Sequence, residues 1–507
     1  MNANQSIPEK MLKNIVQGVL ILTFSMNVMN LNAQVVEQPQ IESWLTNPDR
    51  SDLFAKQSVN IPFTTKNDGR GQAIVLDESQ SMQTMDGFGF ALTGGSAQNL
   101  MKMSRDERTK ILKELFDTDD KSIGVSYLRL SIGASDLNNY VFSYDDLSDG
   151  ATDYELKKFG LAQDLKDVIP VMKEILAINP SIKILGSPWS APIWMKTNNQ
   201  VQGGKLKEEC YPVYANYFVK YIQEMKKVGI RIYAITVQNE PLNSRNTPSM
   251  YWLPMDETAF IKNNLGPAFE KAGIQTKIIL FDHNCDRPDY PLAILNDPDA
   301  AKYVDGSGFH NYAGDFSAMT LVHMARPDKN LYFTEQMVTE KPNSPEINIS
   351  NPVKRIILGA SRNWSKNVIL WNLAADPLND PHTDNGGCSM CQGAITIDGD
   401  QVTRNIAYYT IAHASKFVLP GSVRIASTDR GDKSVGLYED EQIPGVYRTS
   451  IIENTEVLPN VAFKTPEGRI VLIVVNDTKS DRSFKVQFRG LFASLKLEPG
   501  AVGTYVW

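Results

Sequence analysis

Residues 232–241 read IYAITVQNEP, a short apolar run closed by a polar pair, an acid and a proline. The stretch Ile232 to Gln238 reads as a strand bounded by turn residues. Pro241 lacks an amide donor, so it stops the strand and fixes the turn that follows. Glu240 is thereby placed on the rim of whatever sheet holds the strand. Just before it, Val213 to Val228 carries Tyr214, Tyr217, Phe218, Tyr221, Ile222 and Met225 at helical spacing on one side.

The same alternation extends from about Asp86 to about Lys416. Upstream lie a glycine-rich strand and turn, Asp86 to Ala91, then Val125 to Ile132 (VSYLRLSI) and Ile182 to Ser187 (IKILGS). Downstream lie Thr276 to Phe281 (TKIILF), a weak Gly306 to His310 (GSGFH), Leu331 to Thr334 (LYFT) and Val368 to Asn372 (VILWN). Asp164 to Ala177 is a further amphipathic helix, with Leu165, Val168, Ile169, Val171, Met172, Ile175 and Leu176 at helical spacing. Parallel strands need crossovers, and strand–helix alternation supplies them. Eight such units predict an α/β chain folded as a (β/α)8 TIM barrel over 81–415, longer than the ~250 residues typical of that fold.

Both flanks read differently. Arg469 to Asn476 (RIVLIVVN), Phe484 to Phe488 and Thr504 to Trp507 are β runs separated by turn residues, and Ser43 to about Leu76 also lacks helical periodicity. These predict a smaller antiparallel β-sandwich side domain built from both chain ends, 34–80 and 416–507. At the N-terminus, Lys10 and Lys13 precede the apolar run Ile15 to Met26, with Leu31-Asn32-Ala33 as a cleavage site. Residues 1–33 therefore read as a signal peptide for export to the periplasm, the cell surface or the medium. Asn27, Asn30 and Asn32 cut the run short of the ~20 residues a span needs, so no stable membrane insertion is expected after cleavage.

The net charge of −7 argues against nucleic acid as a partner, since phosphate binding needs a basic surface. Cys388 and Cys391 form one C-x-x-C, while Cys210 and Cys285 stand apart. A zinc site needs about four ligands. The pair reads first as a small disulfide, with free thiols and a metal as alternatives. Neither cofactor nor metal is expected.

In a parallel barrel the chemistry sits where strands end. Glu240 ends the fourth strand segment and Glu335 the seventh, in Thr334-Glu335-Gln336. Strands four and seven of eight lie across the barrel from each other, so both carboxyls can face one cleft. Two carboxyls flanking a glycosidic bond are the minimum machinery for its hydrolysis. Trp189 and Trp194 follow strand three, Tyr312 follows strand six and Trp371 lies on strand eight, all flat faces on which sugars stack. Arg129 and Asp136 flank the end of strand two, either as a buried ion pair or as groups that bind hydroxyls or the nucleophile.

At this point the chain resembles glycoside hydrolase family 30, the glucosylceramidase-like group. The resemblance rests on GFGFALTGGSAQNL (87–100), YLRLSIGASDL (127–137), SPWSAPIWMKTN (187–198), TVQNEP (236–241), FTEQ (333–336) and RNWSKNVILWNLAADP (362–377). It implies a retaining hydrolase of β-linked sugars, with Glu240 as acid/base and Glu335 as nucleophile. It also implies that Asn239 bonds the sugar 2-hydroxyl, that Arg129 and Tyr312 orient the nucleophile, and that Asp136, Trp189 and Trp371 hold the sugar. His310, at the end of strand six, joins the substrate-binding set. Gly94-Gly95 departs from members with an acidic residue there, which weakens a ceramide reading. The loop GGCSMCQGAITI (386–397) resembles the β-1,6-glucanase branch, so an endo-acting β-1,6-glucanase with a β-linked glucan partner is expected. The alternatives are an exo-acting β-glucosidase or glucosylceramidase, and a non-catalytic glucan-binding protein. A retaining mechanism predicts carboxyls about 5–5.5 Å apart. It also predicts a Glu240 pKa raised by burial and by the Glu335 charge.

Overall fold

The computed structural model describes residues 39–67, 73–161, 163–342, 344–384, 386–430, 433–439, 447–453 and 457–507. The expected export segment 1–33 lies outside the described residues. Eight parallel strands close into a barrel: β1 (Gly87–Leu92), β2 (Tyr127–Ser131), β3 (Lys183–Ser187), β4 (Ala234–Thr236), β5 (Lys277–Cys285), β6 (Val304–Gly314), β7 (Asn330–Glu335) and β8 (Ser365–Asn372). The weak sixth segment is thus the longest strand of the barrel, eleven residues, and the decisive fourth is a strand over only three. The helix expected over Asp164 to Ala177 runs Val168–Ile178, capped by the Asp167 carboxylate, and Leu165 falls outside it, exposed. The helix expected over Val213 to Val228 is Tyr211–Lys227. It buries Tyr214, Tyr217, Phe218 and Tyr221, each such side chain being worth about 1.5–3 kcal/mol.

The barrel interior has two storeys. Tyr127, Leu185, Ala234, Ile279, Tyr332 and Ile369 pack as an apolar plug. Strand side chains alternate faces, so the residue two further on along a strand points inward again. That rule turns Tyr127 into Arg129, Leu185 into Ser187, Ala234 into Thr236, Tyr332 into Thr334 and Ile369 into Trp371, a polar storey above the plug. On β5 the rule would deliver Phe281. Instead Phe281 and Asp282 adopt left-handed φ of 73° and 56°, and the register with β6 skips Asp282. The bulge turns Phe281 outward against Tyr290 and Phe309 and leaves Asp282 fully buried.

The chain ends build the second layer system. Gln40–Thr46 pairs antiparallel with Val502–Val506, and that sheet continues through Ile470–Val475, Asn460–Lys464 and Val423–Ser427. The long strand Ala73–Thr84 belongs to both layers, antiparallel to Val423–Ser427 and parallel to Arg482–Phe488. That parallel pair departs from the purely antiparallel expectation; one strand bridging two layers allows it. Ile74, Leu472, Val486 and Tyr505 form the sandwich core. The helix Ile406–Ser415 is buried along its whole length and joins barrel to sandwich: its His413 imidazole contacts the Thr504 hydroxyl at 2.9 Å and the Thr46 hydroxyl at 2.8 Å.

Candidate active site

Asp282 is the hub of the upper storey. Its Oδ2 accepts hydrogen bonds from Arg129 (2.8 Å), Ser187 (2.6 Å) and Thr236 (2.8 Å), and its Oδ1 from Thr334 (2.6 Å). The His310 Nε2 lies 3.1 Å from the same Oδ1. A buried charge is tolerated when it is paired and its lone pairs are filled, and here five partners do both. Arg129, also fully buried, donates from Nη1 to Glu335 Oε2 at 2.5 Å and from Nη2 to Asn239 Oδ1 at 2.7 Å. Tyr312 completes the grip on Glu335: its hydroxyl donates to Oε1 at 3.0 Å and accepts the Met337 amide at 3.0 Å.

Across the mouth, Glu240 sits in a left-handed turn, φ 46°, with its amide bonded to the Asp282 carbonyl at 3.0 Å. Non-glycine residues in this region cost about 1–3 kcal/mol and gather at functional sites. Its Oε2 accepts from Asn243 at 2.7 Å, and its Oε1 faces His310 Nδ1 at 3.0 Å. One carboxylate oxygen of Glu240, one of Glu335 and a ring nitrogen of His310 all lie within 4.8 Å of one another. Carboxyls this close leave no room for a water between them and the sugar, the arrangement of retaining rather than inverting hydrolases.

Residues 85–418 match the glycosyl hydrolase family 30 TIM-barrel domain, and residues 421–505 match the glycosyl hydrolase family 30 beta sandwich domain. The chain belongs to glycosyl hydrolase family 30. Among relatives of this family 30 enzyme, an endo-1,6-beta-D-glucanase of Neurospora crassa is 36% identical over 70% of the chain and 75% of its own length. The lysosomal acid glucosylceramidase of Mus musculus is 28% identical over 87% and 84%. The solved structure of an endo-beta1,6-glucanase superposes with a TM-score of 0.79 at 32% identity, covering 92% of this chain and 99% of its own.

Electrostatics of the family 30 site depart from the expectation of a raised Glu240. Burial alone would raise it, but the hydrogen bond and charge of His310, with help from His283 and Asn243, hold it well below the glutamate range. Burial raises Glu335 against the pull of His310 and Arg129, with the Glu240 charge adding to the rise. The stored proton rests on His310. Burial opposes its charge, yet Glu335, Asp282 and Glu240 together push the imidazole up to about 9. The coupling is mutual: Asp282 is held ionised far below the ordinary range by Arg129, by His310 itself and by the Ser187 hydroxyl, which outweigh burial. Nε2 must therefore donate to it, and Nδ1 shares the remaining proton with Glu240.

The other expected site residues divide into two groups. Trp189 and Trp371 are buried and stack on each other with centroids 5.3 Å apart, and the Arg129 guanidinium lies 4.8 Å and 5.7 Å from their rings. Asp136 pairs with neither Arg129 nor any other cation among the described residues. Burial and the charges of Glu335 and Glu240 raise it to about 8, which favours its protonated form. Its Oδ1 and the Trp189 indole nitrogen are buried without a protein partner. Such atoms cost about 1–3 kcal/mol each when left unpaired, and a polyhydroxylated ligand would satisfy them. Trp194 stands apart from the pair, its indole N–H donating to the Asp145 carbonyl at 3.1 Å.

Asp282 and Asn243 escaped the sequence reading. The signal for Asp282 was present, since it follows the apolar run TKIILF as Glu335 follows LYFT. Cys388 and Cys391 are joined in a disulfide, while Cys210 and Cys285 are buried thiols. Cys391 packs with Trp189 and Trp371, and its sulfur lies 3.5 Å from that of Met337. Among the described residues only Glu240, His310 and Glu335 cluster as metal ligands would. Their oxygens and nitrogen are already engaged, and Arg129 on Glu335 opposes a dication. No helix among the described residues is long and apolar enough to cross a membrane.

Proposed function

We propose that the chain is a retaining endo-β-1,6-glucanase, with Glu335 as nucleophile and Glu240 as acid/base. The observation that carries the reading is the approach of these two carboxyls, from opposite strands, to within 4.8 Å inside one hydrogen-bonded network. Ionised Glu335 attacks the anomeric carbon while the Glu240–His310 unit delivers its proton to the leaving oxygen. The glycosyl–ester bond forms as the glycosidic bond breaks. Esterification removes the Glu335 charge that helped to hold the proton. Glu240 then takes a proton from water, whose oxygen displaces Glu335 and releases the sugar with its configuration retained.

Asn239 gives its carbonyl oxygen to Arg129, which leaves its amide free to donate to a sugar hydroxyl beside the reacting carbon. Arg129 and Tyr312 fix the nucleophile. Asp136, protonated, and the Trp189 indole donate to outlying hydroxyls against the Trp371 face. The β-1,6 linkage is supported by the endo-1,6-glucanase relatives at 33–36% identity. The broader coverage of the glucosylceramidase match favours exo-acting β-glucosidase activity as the second reading. Incubation with linear β-1,6-glucan separates them: a ladder of oligosaccharides marks endo attack, glucose alone marks exo attack, and proton NMR of the first product reads retention.

Export of the mature chain from Gln34, after removal of residues 1–33, completes the proposal. So does the division into a barrel over 81–415 and a side domain from 34–80 and 416–507. The basic-then-apolar N-terminus supports export, and mass spectrometry of the processed protein tests it by the presence of Gln34 as first residue.

A further inference from the structure

Beside the catalytic mouth, the loops that follow β2 and β3 enclose a second hollow of about 600 Å³. It adjoins a further hollow of about 530 Å³, the two sharing Val141 and Val201 in their walls. Both connect to the sugar site through the chain. Ala134 and Ser190 line the larger one, two residues from Asp136 and one from Trp189. Thr383 lines the smaller one and donates its amide to the Asp136 carbonyl at 2.9 Å.

The walls are built rather than loose. The Ala134 amide bonds the Phe142 carbonyl at 2.9 Å and folds the first loop back on itself. Trp194 is pinned by its indole to Asp145, and Lys207 bonds the Trp194 carbonyl at 2.9 Å. A preformed hollow of this size falls in the range of about 300–1,000 Å³ usual for ligand sites.

Its chemistry selects a neutral, hydroxyl-rich guest. The hydroxyls of Ser148 and Thr152 and the carboxylate of Asp149 take no side-chain partner among the described residues and stand exposed to the hollow. Ile193 and Leu147 offer apolar surface beside them. Asp146 and Asp149 against the single cation Lys207 disfavour an anion. Polar groups at the edges and apolar patches between them match a pyranose, which carries hydroxyls on its rim and C–H groups on its faces.

We propose that the two hollows form a distal groove that binds glucosyl units several positions along the chain from the bond that is cut. The proposal rests on the glucanase reading above and adds to it the place where the polymer is held. An enzyme that gains its affinity remotely loses it when the remote site is filled, while chemistry on a short substrate is untouched.

The test fills the groove at two points, with Ala151→Trp and separately with Thr152→Trp, the latter at an exposed position. Kinetics are measured on linear β-1,6-glucan and on an aryl β-glucoside too short to reach the groove. The expected result is a KM for the polymer raised about five- to tenfold, with kcat/KM on the aryl glucoside within twofold of wild type. The oligosaccharide ladder shifts as well. Unchanged polymer kinetics in both variants overturn the proposal. Equal losses on both substrates also overturn it, since the hollow would then act through the catalytic site. A wild-type enzyme that cleaves the aryl glucoside but not β-1,6-glucan overturns the glucanase reading itself and the groove with it, a result visible before any variant is made.

Discussion

His310 and His413 are both fully buried, and the structure drives them in opposite directions. His413 lies between barrel helix and sandwich with two threonine hydroxyls as partners, and burial pushes its imidazole down to about 3. His310 lies between Asp282 and Glu240, and their charges with that of Glu335 push it up to about 9. Desolvation disfavours the charged form in both places. What differs is the company. Neutral hydroxyls stitch two domains together with a neutral ring, while ionised carboxylates keep a proton inside a site that must spend one.

The comparison breaks most severely where the charges are removed. Glu335→Gln takes away the proposed nucleophile and one of the charges on His310. We expect a loss of at least about 10⁴-fold in kcat/KM with the thermal midpoint kept, since residues acting as a unit cost this much singly. A variant that retains its turnover would reassign the nucleophile. Asp282→Asn takes from Arg129 one of its two buried carboxylate partners, leaving Glu335 alone, and leaves His310 without its anchor. Stability should fall by about 3–5 kcal/mol in urea unfolding, and kcat/KM about 10²–10³-fold, although Asp282 touches no substrate.

His310→Gln sharpens the comparison through pH. In the wild type, activity is expected to fall at acid pH, where Glu335, raised by burial, takes up a proton, and above about 9, where His310 gives up its own. Without the imidazolium, only His283 and Asn243 are left to oppose the burial that raises Glu240. The alkaline limb of the kcat/KM profile should then move to lower pH, with kcat down about 10–100-fold, on the scale of general-acid contributions. An unmoved limb would place the titrating group elsewhere. The gentlest effect is at the other histidine. A pKa depressed on folding makes stability rise with pH: it is present above the unfolded value of 6.5 and is lost as pH falls toward 3. His413→Gln should therefore remove about 1.4 kcal/mol per pH unit from the stability slope between pH 6 and 4, with kcat unchanged.

The barrel was legible because eight apolar runs alternate with helical periods, and Glu240 and Glu335 because each stands at the end of such a run. The sixth strand read weakly because Gly306 and Gly308 carry no apolar side chain. A Cβ at Gly306 would lie 2.1 Å from the Asn330 carbonyl oxygen, so close strand packing forbids one. Asp282 stayed hidden for a different reason. Its place after TKIILF marked it as a strand-end acid, but strict alternation would point Phe281 rather than Asp282 inward, and the bulge that reverses this is not written in the sequence. The sign of the Glu240 shift was misread because it depends on His310, whose reach to Glu240 follows from which strand ends meet across the barrel.

The pairing of Gln40–Thr46 with Val502–Val506 sets an order of assembly. A chain made from its amino end releases the first of these strands more than four hundred residues before its neighbour exists. The barrel segments can find one another in the meantime, since each contacts the next in sequence. The early strand can pair at once with its neighbours Leu53–Lys56 and Ile61–Pro62, but its partner in the sandwich sheet, Val502–Val506, arrives far later. Completion of the sandwich is therefore a late checkpoint, and a chain cut short by even its final strand would leave that first edge open to pairing with another copy.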